Sequence, residues 1–334
     1  MKSPFTGGEV TLEKEPWVLE YRKDSFNVLY HYYLCVDTKE RFTTIELDNL
    51  NIIQVHNKYR EKYGIPFTDE IKNIREKYGL SAAKMSEVLG LGTNVYRNYE
   101  AGEIPSVATG RLIRLGEDPV EFGKLLEMSR NVLETHEYAR VRKKLDHVLE
   151  GNMEEERTYK AWFFENKYPN VFNGYKVPDL KKIIQMISFF ARNNSPFTTA
   201  LNKLMFYADF GHFKKFGSSI SGIYYKALPR GPVPENYGGI YNYAVNAGAV
   251  SIEEMAFGEY VGERFIPNEK SQMDLDSIFN STEATILQSV SERFKDLSTK
   301  RIVDISHEEP AWQNNVDDRN RISFEYGFEL KNID

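Results

Sequence analysis

Leu80-Ser81-Ala82-Ala83-Lys84-Met85-Ser86-Glu87-Val88-Leu89-Gly90-Leu91-Gly92-Thr93-Asn94-Val95-Tyr96-Arg97-Asn98-Tyr99-Glu100-Ala101-Gly102 reads as two short helices joined by a tight turn. Ser81 carries the short hydroxyl that caps a helix N-terminus, and Met85, Val88 and Leu89 follow it on one face. Ala83 is small where the two helices would cross. Gly90 supplies the left-handed backbone that stops the first helix. The second helix is expected from near Thr93 to Gly102, ahead of Pro105, with Val95 pointing into the core.

The flanks extend this pattern into an all-α bundle over residues 63–130. Asp69 is expected to cap a helix carrying Ile71, Ile74 and Tyr78 that stops at Gly79, and Ser106 and Pro119 open two more. Between Lys72 and Arg114 lie seven basic and four acidic residues, a local excess of +3 in a chain whose formal net charge is −6. A whole-surface attraction to nucleic acid is therefore excluded, and any such contact must be local.

The quoted segment resembles the Xre/Cro-type helix-turn-helix. That resemblance implies a second helix entering the DNA major groove with its N-terminus first. The candidate DNA-contacting residues are Ser81, Lys84, Thr93, Asn94, Tyr96 and Arg97. Because +3 is a small charge for one domain, a homodimer on palindromic operator DNA is expected, with strongly salt-dependent affinity.

Residues 1–62 read as a small antiparallel β ribbon followed by a helix over Asp48–Lys62. Tyr30-His31-Tyr32-Tyr33-Leu34-Cys35-Val36 is rich in aromatic and β-branched residues and pairs with Glu15–Val28. This opening resembles the N-terminal region of MqsA/YgiT-like antitoxins, in which two Cys-x-x-Cys pairs hold zinc. Here the four ligand positions are Ser3, Thr6, Cys35 and Thr38, so only one thiol remains. Neutral hydroxyls are poor zinc ligands. The expectation is a degenerate, metal-free ribbon held by Trp17, Tyr21, Phe26, Tyr30, Tyr32 and Phe42, with Cys35 half-buried. A metal site completed by His31 or His56 is the less favoured reading.

Residues 131–176 read as a charged helical connector, and 177–334 as a mainly helical α+β domain. Helices are expected over 178–192, 196–216, 282–295 and 299–307, strands and loops over 220–265, and a terminal strand over 322–330. Leu201, Leu204, Met205 and Ala208 share a helical face and read as core. Arg230-Gly231-Pro232-Val233-Pro234 reads as a rigid turn leading into a helix, with Pro234 in its first turn. The run Leu201-Asn202-Lys203-Leu204-Met205-Phe206-Tyr207-Ala208-Asp209-Phe210, the Arg230–Pro234 segment ahead of Tyr237, and Ile305-Ser306-His307-Glu308-Glu309-Pro310-Ala311-Trp312 resemble the Panacea (SocA-like) antitoxin domain. The resemblance implies a module that docks a cognate toxin protein. Aromatic residues and arginine are the usual anchors of such interfaces. The candidate toxin-binding residues are accordingly Tyr207, Tyr225, Arg230, Tyr237, His307 and Trp312.

At 334 residues the chain is long enough for two or three domains, and one Cys excludes a disulfide scaffold. No stretch approaches the ~20 apolar residues of a membrane span, and no secretory leader is expected. His307-Glu308-Glu309 lacks the second histidine of a zinc-protease motif, because residue 311 is Ala. Asp209 and His212 sit at helical spacing, but one polar pair makes no active site. The expectation is a cytoplasmic, non-enzymatic α+β multidomain antitoxin with no cofactor and no membrane partner, repressing its own operon. A stand-alone DNA-binding regulator with a C-terminal dimerisation or ligand module is the alternative.

Overall fold

The computed structural model describes residues 1–150, 164, 168–258, 260–268 and 278–333. They fall into two compact units, Met1–Arg157 and Thr158–Asp334.

The first unit opens with a long hairpin of β1 (Val10–Tyr21) and β2 (Asp24–Cys35), in register from Val10 opposite Cys35 to Tyr21 opposite Asp24. Arg22 and Lys23 both take positive φ, 47° and 72°, as a tight two-residue hairpin turn requires. The short β3 (Arg41–Phe42) pairs with Tyr33 and Leu34, which leaves β1 at the outer edge. Helix α1 (Ile45–Tyr63) follows, capped by Thr44. Its inner face is polar, with Asn51, Gln54, Asn57 and Arg60 all buried at three-residue spacing. The reason is that this face meets a strand edge. Gln54 accepts from the Leu29 amide at 3.0 Å and donates to the Leu29 carbonyl at 2.9 Å, and Asn51 does the same at His31, at 2.8 and 2.9 Å. Two side-chain amides thereby continue the ladder where β3 leaves off, and the buried peptide groups stay paired.

Six further helices complete this unit: α2 (Thr68–Lys77), α3 (Ala82–Val88), α4 (Val95–Glu100), α5 (Val107–Leu115), α6 (Pro119–Met128) and α7 (Thr135–Leu149). Ile71, Tyr78, Met85, Tyr96, Ile113, Phe122 and Leu126 form their shared core, with Tyr78 stacked on Phe122 at 3.6 Å between ring centroids. Val141 and Leu145 of α7 belong to the same core, so the expected connector begins as a bundle helix. Connector residues 151–163 and 165–167 lie outside the described residues, and 168–176 form bends and turns rather than the expected helix. Helix α2 starts after Phe67 rather than at Asp69, with Glu70 closing its first turn by accepting from the Phe67 amide at 2.8 Å. Arg22 donates to the Ile104 and Pro105 carbonyls, and Arg60 to those of Pro66, Gly102 and Glu103. Ribbon and bundle are thus tied into one body.

The second unit is built around α9 (Thr198–Phe216), whose residues from Ala200 through Phe213 are all buried. Around it pack α8 (Leu180–Asn194), α11 (Ser281–Phe294), α12 (Thr299–His307) and a terminal 3-10 turn (Phe324–Glu329). A β4–β5 ribbon (Tyr225–Leu228 with Gly231–Pro234), α10 (Tyr237–Asn246), a β6–β7 hairpin (Val250–Phe257 with Tyr260–Pro267) and the one-turn α13 (Pro310–Gln313) complete it.

Two expectations are corrected here. Arg230–Pro234 is not a turn feeding a helix. Gly231–Pro234 is a strand, and α10 begins only at Tyr237. The ribbon tolerates its prolines because Pro232 and Pro234 stand opposite Ala227 and Tyr225, whose backbone groups bond the other way, to Asn320 and Ile322. The tail over 322–330 is not a strand either. After the Ile322 amide bonds to Tyr225 the chain coils, because Gly327 lies against α9, where an added Cβ would sit 3.0 Å from the Phe210 carbonyl oxygen.

Candidate functional site

Tyr207 and Tyr225, expected at an interface, are fully buried. A tyrosine can be buried once its hydroxyl has a partner, and each finds a buried carboxylate. Tyr207 donates to Glu309 at 3.1 Å and Tyr225 to Asp209 at 2.7 Å. Asp209 also accepts from the Ile220 and Ser221 amides, each at 2.8 Å, and from the Ser221 hydroxyl at 2.5 Å. Glu309 further accepts from the Lys331 and Asn332 amides and the Asn332 side chain. These carboxylates fasten α9 and α13 to the segments crossing them. Nothing in the spacing of Asp209 or Glu309 marks a core residue, because the donors come from positions remote in sequence. His212 does not pair with Asp209. Its Nδ1 lies 2.6 Å from the Ser218 carbonyl and its Nε2 3.1 Å from the Thr282 hydroxyl, and burial pulls its pKa down to about 4.

The remaining C-terminal candidates lie at or near the surface. Arg230 is exposed at the tip of the β4–β5 ribbon, while Tyr237, His307 and Trp312 are partly exposed. Trp312 stacks on His307 with centroids 3.8 Å apart and donates its indole N–H to the Leu228 carbonyl at 2.8 Å. The Arg230 tip, His307 and Trp312 therefore make one patch. Tyr237 belongs to α10, with its ring 5.9 Å from that of Tyr241.

In the first unit, Ser81 caps α3 by accepting from the Lys84 amide at 3.2 Å, and Gly90 ends the helix segment with φ 66°. Helix α4 begins two residues later than expected, after Asn94. Thr93, Asn94 and Arg97 are exposed. Tyr96 is a correction: it is wholly buried, its hydroxyl donating to the Ile71 carbonyl at 2.7 Å, and it joins the core against which Val95 also packs. Lys84 is held between Glu87 at 3.0 Å and Glu137 at 2.9 Å. Arg75 and Arg114 are likewise committed, to Glu100 and Glu70. Among the described residues Arg97 and Arg111 are exposed and form no ion pair.

The four ribbon positions do converge. Residues 3–8 and 35–40 form two tight loops, closed by bonds such as Gly7 to the Ser3 carbonyl and Lys39 to the Cys35 carbonyl, both 2.9 Å. The Thr6 hydroxyl lies 3.6 Å from the Cys35 sulfur. Cys35 is buried completely rather than half, and hydrogen bonds from Ser3 and Thr38 hold its thiol down to about 6. No group of three or more metal-ligating side chains occurs among the described residues. Trp17 is half-exposed and stands outside the ribbon core, which Phe26 and Val28 build with Val55, Tyr59 and Ile65.

No helix among the described residues is long and apolar enough to cross a membrane. No curated protein and no solved structure matches the chain. Residues 201–313 match the family model described as antitoxin SocA-like, Panacea domain. This stretch holds most of α9, the β4–β5 ribbon and the His307–Trp312 stack, so the second unit carries a Panacea, SocA-like antitoxin domain.

Proposed function

We propose that the protein is the antitoxin of a toxin–antitoxin pair, neutralising a toxin protein by occupying its surface. The match of residues 201–313 to the SocA-like Panacea domain carries this reading. The patch of Arg230, His307 and Trp312, with Tyr237 beside it in sequence, offers the exposed arginine and aromatic groups that anchor protein interfaces. Such an activity is binding alone and requires no reacting group. The first unit would act as an operon repressor, presenting Thr93, Asn94 and Arg97 to operator DNA from a homodimer, with Arg111 adding unpaired positive charge. The decisive experiment is co-expression with the adjacent small open reading frame. Its product should arrest growth alone and be silenced by this chain, and the two should co-purify. Arrest that persists in the presence of this chain would overturn the reading and leave the stand-alone regulator.

A further inference from the structure

Among the described residues of the second unit, four charged side chains are buried to below a tenth of their surface: Lys203, Asp209, Glu283 and Glu309. Three are carboxylates with full sets of partners. Asp209 and Glu309 hold the donors described above, and Glu283 takes Lys182 at 2.6 and 2.8 Å. Lys203 is fully buried, and its Nζ has no hydrogen-bond partner among the described residues. A second orphan lies nearby. His307 Nε2 is buried and also unpartnered, and burial first, then the nearby Lys203, depress protonation of the His307 ring.

Gly231 fixes where the amine sits. An added Cβ there would lie 2.5 Å from Lys203 Cε, 3.1 Å from Nζ and 2.5 Å from Ser306 Oγ. The ammonium head is therefore lodged beneath bare backbone at the Arg230 tip, between that tip and the Ser306–His307 end of α12. It does not run out to water, as lysines at a surface do. Burial pulls this amine down to about 7, so it holds its proton loosely until a group of opposite charge meets it. The pattern of three satisfied acids and one unanswered base marks a missing anion.

We propose that Lys203 Nζ and His307 Nε2 together receive one carboxylate, which enters beside the His307–Trp312 stack. Two nitrogen donors suit the two oxygens of a carboxylate. A phosphate would carry more negative charge than one amine, itself held down by burial, could balance. The carboxylate belongs either to a small organic acid or to an acidic side chain of a bound protein. The site exists whether or not the partner is a toxin.

The test titrates the labelled full chain with acetate, with acetamide, and with N-acetyl-glutamate N-methylamide, following the His307 ring nitrogens and the Lys203 side chain by NMR. Acetate should shift both saturably and acetamide should not. Binding of acetate alone identifies a small-acid site, and binding of the peptide-like glutamate as well identifies a side-chain receptor. Lys203→Met should weaken acetate by more than about tenfold, as removal of a buried ionic partner does, while keeping the native circular dichroism. His307→Gln, a change at a partly exposed residue, should weaken it less. No saturable shift with either acid, or an undiminished shift in Lys203→Met, would overturn the proposal. Growth rescue by the wild-type chain is read separately, so failure here leaves the antitoxin reading intact.

Discussion

Replacing Tyr225 by Phe removes one oxygen from a closed polar cage and leaves the ring packing in place. The lost bond is the 2.7 Å contact to Asp209, made in full burial. Hydrogen bonds to charged groups contribute about 1.5–3 kcal/mol, and here no water can replace the donor. Asp209 retains three donors, from Ile220, Ser221 and the Ser221 hydroxyl, so the cage loosens without collapsing. At about 1.4 kcal/mol per factor of ten, the opening equilibrium of this region should rise roughly 10- to 100-fold. Amide hydrogen exchange reads it directly, because the Ile220 and Ser221 N–H groups bond to Asp209 and exchange only when the cage opens. Both should accelerate by that factor in Tyr225→Phe, and partner affinity at saturating folded protein should be unchanged. Unaltered exchange together with weakened partner binding would refute the core assignment and return Tyr225 to the interface.

Further outcomes follow from other sites. The folded pKa of His212, about 4, is depressed from its ordinary 6.5. Its contribution is therefore complete above pH 6.5 and is lost as pH falls toward 4, about 3 kcal/mol in all. Urea denaturation at a series of pH values should show that loss in the wild type and a flatter profile in His212→Gln. Gly231→Ala should destabilise the second unit by at least about 2 kcal/mol, since it joins φ +97° to contacts of 2.5 Å on two side chains. Arg97→Ala should lower affinity for DNA upstream of the reading frame and reduce the salt slope by about one, with the melting temperature unmoved. Purified protein should carry no stoichiometric zinc by elemental analysis, because three of the four ribbon positions offer only hydroxyls.

What the sequence made legible was whatever depends on local chemistry. The Ser81 cap, the Gly90 stop, the paired strands around Tyr30 and the helices at 178–192 and 196–216 all appear close to where short-range rules put them. The misreadings share one cause, partners distant along the chain. Tyr207 and Tyr225 read as contacts because aromatic residues commonly anchor interfaces, and Tyr96 because of its place in the helix-turn-helix segment. Each is buried because Glu309, Asp209 or the Ile71 carbonyl meets it from elsewhere. The helix over Asp48–Lys62 was legible, but not that its polar stripe is a packed face whose counterpart is the edge of β2. Alternation at 322–330 suggested a strand until Gly327 brought the chain against α9.

The amides of α1 also determine what the ribbon shows to the outside. With the Leu29 peptide turned toward Gln54, its opposite number Pro16 sits at a position where β1 and β2 exchange no bonds. The nitrogen of Pro16 therefore faces outward along β1, and it has no hydrogen to offer. A strand from another molecule aligning there would meet a gap in donors midway, flanked by Glu13, Lys14 and Glu15. Edge-to-edge pairing along β1 is thereby disfavoured at this point. An edge strand twelve residues long thus carries its own interruption near the middle.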